Sequence, residues 1–466
     1  MRNVIRCCMV VGLVAFGGPA SAEMCTVEAS PAATLLLPYF QVDLDNDAGV
    51  NTIFSINNAS ASAALTHVVV WTNMSIEVLD FNVYLTGYDM QTINLGLALK
   101  NGLLPITGNG EPESPVGPFS DPDGNSYPAC DELGFPYDNS FGGDASCGEL
   151  GCVRLADVHE ILRGNESTYI YPGDCAALPT DGNNGTAIAD GYVTVDLVND
   201  CTLQTPCGQG WSNPDQGPYF GDGGLGLYDN ILWGDYFYID GQNNFAQGDN
   251  LVHVQAAAND GEAVQLLGGS FYNRCDRYAT PYPDFRESLA STFAAHYYRN
   301  AQFDGGTQLQ IWRDSTYEGL PFPCGAPGDN NNVWYPMDQI QVVIFDSQEN
   351  TEIPDICQIS PCPPDDPDAL FAPREANIID MDDLATFPSG WIYMNLGHID
   401  GPNHEVRQNW VTQTHSAEGR FSVGYAAVAI SDFCDLSSVI LGESGDDFPA
   451  VFPACSPFPG SPYSCD

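Results

Sequence analysis

Hydrophobic residues recur at every second position in several short runs between residues 34 and 99. Because alternate side chains of a strand point to opposite faces, this spacing predicts β-strands with one apolar face. Turn-forming Asp, Asn, Gly and Ser residues separate the runs. We expect a meander whose sheet packs on one side and faces water on the other. The predicted strands are residues 40–44, 52–56, 65–71, 79–85 and 93–99.

Strand-like alternation returns in the second half of the chain. The later runs are residues 231–239, 251–255, 263–267, 308–312, 340–345, 391–396 and 421–430. A chain of 466 residues is too long for a single core. We therefore predict a mainly β protein with two Ig-like β-sandwich units. The first unit comprises residues 23–104 plus 225–270, and the second comprises residues 271–433.

Residues 105–224 have a different composition, rich in Gly, Pro, Asp, Asn and Cys. We predict a long loop insertion pinned by disulfides, because an unpinned loop of this length is improbable in a compact domain. Within it, apolar spacing predicts a helix over 153–163 and a strand over 192–197. Residues 434–466 form a second Cys- and Pro-rich segment, which we expect to be a tail on the surface.

A second short helix is predicted over residues 284–299. Asp284 and Glu287 are spaced as in a capping box, and Leu289, Phe293 and Tyr297 share one helical face. The same residues are also compatible with a strand, so both interpretations are open at this point.

Residues 1–22 have the features of a secretory signal peptide. Arg2 and Arg6 precede a short apolar run at 10–16, and Ala20-Ser21-Ala22 suits cleavage after small residues. No later run approaches the length of a membrane helix, so we predict no transmembrane segment. We expect an exported protein, located in the periplasm or outside the cell.

Acidic residues outnumber basic ones by 61 to 13, giving a formal net charge of −48. This balance argues against nucleic-acid binding, which needs clustered Lys and Arg for phosphate contacts. It favours divalent cations and is also typical of a solvated acidic surface.

Two of the 16 cysteines lie in the predicted signal peptide and an even number remain. In an exported chain this predicts a disulfide framework rather than a zinc site, since no paired C-x-x-C occurs. The connectivity cannot be deduced from spacing. Close pairs that suit local loop bridges are Cys147 with Cys152, Cys201 with Cys207, and Cys357 with Cys362.

One acidic loop has the ligand spacing of a calcium site. Asp121, Asp123 and Asn125 occupy loop positions one, three and five, and Glu132 occupies position twelve. Ser126 stands where such loops have Gly, so an ordinary Asp/Asn/Gly turn is the alternative. The segment Asp43-Asp45-Asp47 is a less complete copy of the pattern. Calcium is the one cofactor that we predict.

A second candidate metal site lies near residue 400. His398, Asp400 and His404 could together hold a transition metal. Gly401 and Pro402 interrupt the segment, so no helix fixes the two histidines on one face, and surface histidines are the alternative.

Catalytic motifs are weak. The sequence contains no G-x-S-x-G elbow. A glycosidase needs two carboxyl groups about 5 to 9.5 Å apart, which sequence spacing alone does not reveal. The acids next to aromatic residues that we would test for such a pair are Asp235, Asp240, Glu287 and Glu318.

Four segments have a distinctive sequence: TLLLPYF (34–40), FSINN (54–58), LDFNVYLTGYD (79–89) and GTQLQIWR (306–313). In these segments the chain resembles a group of uncharacterised exported bacterial proteins. The resemblance implies export and relatedness, but no activity and no catalytic residues.

The sequence thus predicts an exported, non-enzymatic surface or matrix protein that binds a protein partner or a glycan, stabilised by calcium. Two alternatives stay open. One is a secreted carbohydrate-active hydrolase that uses paired carboxylates. The other is a subunit of an extracellular assembly that self-associates through exposed sheet edges.

Overall fold

The protein is mainly β, as the alternation of apolar residues predicts. The structure, a computed structural model, describes residues 30–73, 75, 77–105, 151–164, 187–199, 202, 204, 206, 219–220, 224–256, 270–272, 284–299, 305–314, 341–352, 375–396, 408–417 and 421–429.

The described residues contain nineteen strands and three helices. The strands are β1 (Thr34–Asp43), β2 (Val50–Asn58), β3 (Ala64–Thr72), β4 (Glu77–Leu85), β5 (Met90–Asn94), β6 (Ile188–Val198), β7 (Leu232–Trp233), β8 (Asp235–Asp240), β9 (Phe245–Asn250), β10 (Val252–Val254), β11 (Thr292–Tyr298), β12 (Thr307–Arg313), β13 (Gln341–Asp346), β14 (Thr351–Glu352), β15 (Ala376–Asp380), β16 (Ser389–Asn395), β17 (Asn409–Ala417), β18 (Phe421–Ala426) and β19 (Val428–Ala429). The helices are α1 (Leu95–Asn101), α2 (Gly151–Leu162) and α3 (Met381–Leu384).

These strands form four antiparallel sheets within the described ranges. Sheet I has the order β10-β1-β6-β3-β4, and sheet II has the order β5-β2-β8-β9, with β7 also paired to β2. Sheet III has the order β15-β12-β17-β18, and sheet IV has the order β14-β13-β16-β11-β19. Most strands predicted from the sequence are confirmed, including those at 52–56, 65–71, 79–85, 192–197, 308–312, 340–345 and 391–396.

Sheet I lies between sheets II and III. On one side, the hydroxyl of Tyr238 in β8 donates to the carbonyl oxygen of Tyr39 in β1, at 2.8 Å. On the other side, the ring of Tyr192 in β6 meets that of Trp312 in β12 edge to face, with centroids 6.0 Å apart. Nearly all side chains of β1, β3, β4 and β6 are therefore buried. The prediction that these strands have one wet face is wrong, because both faces are covered.

The central strand of sheet I comes from the segment that we predicted as an insertion. Strand β6 pairs with β1 on one side and with β3 on the other. Alternation identified this strand correctly but gave no information about its partners. Residues 105–224 thus contribute to the first strand-rich block rather than lying wholly outside it.

The predicted strand over 93–99 is wrong in its second half, where the chain forms α1. The side chain of Asn94 caps this helix by accepting from the backbone N–H of Leu97, and Gly102 ends it with φ 69°. Leu95 and Leu99 point into the core, whereas Leu97 is 47% exposed. Leucines at every second position thus fit a strand pattern, although the cap and the terminal glycine specify a helix. The predicted helix over 153–163 is confirmed as α2.

The predicted helix over 284–299 is also wrong. Residues 292–298 form β11, which pairs with β16 and β19, and no helix begins at Asp284. Phe293, Ala295 and Tyr297 alternate as buried residues, as the strand interpretation requires. The side chain of Glu287 accepts a hydrogen bond from the backbone of Gln255 and not from a helix terminus.

Buried apolar residues from both strand-rich blocks form one continuous cluster. Phe271 stacks on Trp312 with ring centroids 5.5 Å apart, and Phe293 meets Trp410 edge to face. Across the part of the chain that the structure describes, no helix is long and apolar enough to cross a membrane.

Candidate functional site

The metal sites predicted from the sequence lie outside the described residues. This applies to Asp121, Asp123, Asn125 and Glu132 of the calcium loop and to His398, Asp400 and His404. It also applies to five of the six cysteines for which we predict local bridges, namely Cys147, Cys201, Cys207, Cys357 and Cys362; for Cys152 the structure describes only its place in α2. Within the described ranges, no three His, Cys, Asp or Glu side chains are grouped closely enough to hold a metal ion.

Two acids of the turn after β1 are paired with basic side chains of the protein. Arg163 lies 2.7 Å from a carboxylate oxygen of Asp45, and Lys100 lies 2.9 Å from one of Asp47. The hydrogen bond from Arg163 lowers the pKa of Asp45. Asp43 accepts hydrogen bonds from two backbone N–H groups of the turn. Each of the three acids thus has a partner within the protein.

The acids considered for glycoside hydrolysis are dispersed. Asp235 and Asp240 are five residues apart on β8, hence on opposite faces and about 16 Å apart at about 3.3 Å per residue. This exceeds the separation that either glycosidase mechanism requires. Glu287 is buried and accepts from the backbone of Gln255, and Glu318 lies outside the described residues. Asp235 and Asp240 therefore do not form a catalytic pair.

A cluster of buried charges lies between sheet I and the segment before β11. The guanidinium of Arg286 donates to Asp284 at 2.7 Å, and its Nε lies 3.6 Å from Asp196 Oδ1. The other oxygen of Asp196 accepts from the hydroxyls of Tyr219 and Tyr272, at 2.6 and 2.9 Å. All five residues are buried.

Burial alone would lower the pKa of Arg286, but the carboxylates of Asp284 and Asp196 outweigh this effect and raise it. Burial raises the pKa of Tyr219 and Tyr272, and the charge of Asp196 raises it further. The cluster therefore contains a permanent cation and neutral tyrosines. Since all five side chains are buried, the cluster is part of the core rather than a binding site, and removal of one charged partner would be costly.

Sheet II, in contrast, has a buried side and an exposed side. Phe54, Ile56 and Tyr236 point into the core. The opposite side carries three exposed apolar side chains, Met90, Trp233 and Phe237, with exposed fractions of 62%, 42% and 39%. Polar side chains lie between them. We call the surface formed by Met90, Thr92, Trp233, Asp235, Phe237 and Asn250 the aromatic face.

The pairing register places these residues on one side of the sheet. Trp233 and Met90 both lie opposite Asn57 of β2, one on each side. Asp235 lies opposite Asn250, and Phe237 lies opposite Ile53. Trp233 in β7 and Phe237 in β8 are four residues apart along the chain. Their Cα atoms are therefore separated by about 13 Å, at about 3.3 Å per residue.

Gly234 allows β7 and β8 to continue past β2 in one register. A Cβ at this position would collide with the carbonyl oxygen of Ser55. Because glycine has no side chain, the two backbones approach closely here and Trp233 keeps the same orientation as Asp235 and Phe237.

A chain of hydrogen bonds fixes the carboxylate of Asp235 between the two rings. Asn57 donates to Ser55 Oγ at 2.9 Å, and Ser55 Oγ donates to Asp235 Oδ1 at 2.5 Å. Asn57 also donates to the carbonyl oxygen of Trp233. Asp235 Oδ2 accepts no hydrogen bond from the residues that the structure describes, and the side chain is exposed. The face thus presents one pre-oriented acceptor between two aromatic rings.

This arrangement matches the chemistry of a sugar. The C–H face of a sugar ring packs on an aromatic ring through dispersion and weak C–H···π contacts. Hydroxyl groups donate to a carboxylate oxygen and exchange hydrogen bonds with side chains such as Thr92 and Asn250. The six residues of the aromatic face include no positively charged side chain, so the face does not attract phosphate, sulfate or carboxylate groups.

No family model, curated protein or solved structure matches the chain. The sequence pattern predicted Asp235 only as a candidate acid and predicted no role for Trp233 or Phe237. The available signal was the order Trp, Asp, Phe at positions 233, 235 and 237, which places all three on one face of a strand.

Proposed function

We propose that the protein is an exported, non-enzymatic surface or matrix protein that binds an uncharged polysaccharide on its aromatic face. The observation that carries this proposal is that Trp233 and Phe237 are exposed on the same side of β7 and β8, which follow β2 in one register. The carboxylate of Asp235 is held between them. An exposed sheet side with separated rings suits an extended chain that lies across the sheet.

Charge narrows the class of glycan. A net charge of −48 repels anionic polysaccharides, and Asp235 adds a negative charge at the centre of the face. Nucleic acid is disfavoured for the same reason. An uncharged polymer of hexose units avoids this repulsion and still offers hydroxyl groups to Asp235.

The proposal can be tested by binding to insoluble neutral polysaccharides, using cellulose, chitin and cross-linked starch as probes. We expect the wild-type protein to bind at least one of them and the Trp233→Ala variant to bind about tenfold more weakly. A tenfold change corresponds to about 1.4 kcal/mol. Phe237→Ala should act in the same direction, because each ring contributes its own stacking contact.

Trp391→Ala provides a matched control. Trp391 lies on β16 and is also 42% exposed, but it belongs to sheet IV. We expect this variant to bind as the wild type does. Equal losses in the Trp233 and Trp391 variants, or binding to none of the three polymers, would contradict the proposal.

Three more detailed predictions about the architecture are also part of this proposal. We retain two sandwich-like, Ig-like units, a disulfide-pinned segment within 105–224 and a calcium-stabilised loop as features expected of an exported protein. Reversible loss of stability on reduction would support the disulfides.

A further inference from the structure

A groove of about 850 Å³ lies where the ends of sheets I, II and III meet. Its lining includes five side-chain amides and three carboxylates. The residues that carry the argument are Gln41, Gln242, Asn243, Gln308, Asp240 and Phe245. We call it the amide groove.

The amide groove is distinct from the aromatic face. Asp240 and its pairing partner Val50 line the groove, and both occupy the positions of β8 and β2 that point away from the face. Trp233 and Phe237, at the intervening positions, are not among the lining residues. A ligand of the groove therefore does not touch the two exposed rings.

Hydrogen bonds fix the wall that the turn after β8 contributes. Asp240 Oδ1 accepts from the backbone N–H groups of Gln242 and Asn243, at 3.0 and 3.1 Å. Asp240 Oδ2 accepts from the side-chain amide of Asn243 at 2.7 Å. The carboxylate thus holds the turn in one shape, which reduces the ordering cost when a ligand binds.

A second wall comes from sheet III. The amide of Gln308 in β12 donates to Asp380 Oδ2 at 3.4 Å, and Asp380 Oδ1 accepts from the backbone N–H of Asp382. Asp380 therefore caps α3 and contacts Gln308 at the same time. In both walls, a carboxylate accepts a hydrogen bond from a side-chain amide and so holds that amide in place.

The lining indicates the class of ligand. No Lys, Arg or His belongs to the described lining, so anionic ligands are disfavoured. The three carboxylates do not form a metal-binding group among the described residues. Side-chain amides both donate and accept, which is the pattern that neighbouring hydroxyl groups require, and the half-buried Phe245 adds an apolar wall. The volume lies within the usual range of small-ligand sites.

We propose that the amide groove is a second binding site, which takes an uncharged, hydroxyl-rich ligand of oligosaccharide size. Its assignment to a sugar rests on the proposed function, whereas its location and polarity do not. The aromatic face would hold the length of a polymer, and the groove would hold a short chain or a chain end.

Titration calorimetry with soluble trisaccharides tests this proposal. The probes are cellotriose, maltotriose and tri-N-acetylchitotriose, with trigalacturonic acid as the anionic comparison. We expect at least one neutral trisaccharide to bind the full-length protein and the anionic one not to bind. The Gln242→Ala and Gln308→Leu double variant should bind that trisaccharide about tenfold more weakly.

Three variants keep the outcome interpretable. Gln348→Ala removes an exposed amide from the turn after β13 and should leave binding unchanged. Gln242→Ala alone alters only an exposed turn residue, so it provides a folded variant if the double variant fails to fold. Trp233→Ala should weaken polysaccharide binding but leave trisaccharide binding intact.

These experiments distinguish failure of the groove proposal from failure of the proposed function. If polysaccharide binding requires Trp233 but no neutral trisaccharide binds, the groove proposal is wrong and the function stands. Trisaccharide binding that is lost in Trp233→Ala and kept in Gln242→Ala would also overturn the groove. If neither class of probe binds, both proposals are wrong.

Discussion

At the scale of single residues, the buried guanidinium of Arg286 links parts of the chain that are far apart in sequence. Its Nε donates to Thr34 Oγ1 in β1, and its charge lies near Asp196 in β6. A buried ion pair is expensive to desolvate, so its net contribution to stability is small compared with the cost of removing one partner.

Replacement of Arg286 by Met should therefore destabilise the protein by about 3–5 kcal/mol, because Asp284 and Asp196 are left buried without a cation. Urea unfolding measures this difference. The control is Arg163→Met, which breaks the surface pair with Asp45 and should cost less than about 1 kcal/mol. Similar losses in the two variants would contradict the structural role of the buried cluster.

His415 gives the protein a pH-dependent stability. Burial lowers the pKa of His415 from 6.5 to about 4, and its Nδ1 lies 2.8 Å from Thr307 Oγ1. The unfolded chain binds a proton at a higher pH than the folded chain does. Stability should therefore fall as pH falls from about 6.5 to about 4, by up to about 3 kcal/mol.

Comparison with His415→Asn isolates this contribution, since the acidic residues titrate in both proteins. We expect the unfolding free energy of the wild type, relative to that of the variant, to fall steadily as the pH falls from 6.5 to 4. A difference that does not change with pH over this range would show that His415 does not titrate as described.

At the scale of elements, alternation predicts where strands lie but not how they pair. Residues 65–71 and 192–197 were both identified as strands, yet their adjacency in sheet I depends on contacts that no local pattern records. Local spacing also failed at α1 and β11. In both segments apolar spacing suits helix and strand alike. At α1 the Asn94 cap and Gly102 specify the helix, whereas at β11 pairing with β16 and β19 specifies the strand.

The candidate site was predictable only in part for the same reason. The order Trp233, Asp235, Phe237 is visible in the sequence, but exposure of one sheet side is a tertiary property. Ser55 and Asn57, which orient Asp235, come from β2, far away in the chain. No spacing rule connects them.

The close approach of the backbone at Gly234 to β2 can be tested by substitution. Gly234→Ala should lower stability by about 1–3 kcal/mol and weaken polysaccharide binding, because a Cβ there displaces β7 and β8 from β2. Thermal unfolding and the cellulose, chitin and starch assays measure the two effects. Gly241→Ala is the matched control, since a Cβ there meets its nearest neighbour at 3.7 Å. If both variants behave alike, close approach at Gly234 is not the cause.

At the scale of the whole molecule, excess negative charge makes bound cations stabilising. If the loop containing Asp121, Asp123, Asn125 and Glu132 binds calcium, chelation should lower the melting temperature, because calcium binds the folded state preferentially. The Asp123→Ala variant should have lost this response. Asp47→Ala, in the turn paired with Lys100, should keep it. An unchanged melting temperature on chelation in the wild type would remove calcium from the proposal.

The position of β6 in the middle of sheet I affects how fast the molecule reaches its native state. Thr34 of β1 contacts Asp196 of β6, 162 residues along the chain, and pairs with Val254 of β10 on its other side. Contacts of such high sequence separation slow folding, since a large loop closes before any pairing is gained. Strand β1 therefore stays unpaired until β6 and β10 have been synthesised, and its exposed edges are a site where the nascent chain can aggregate.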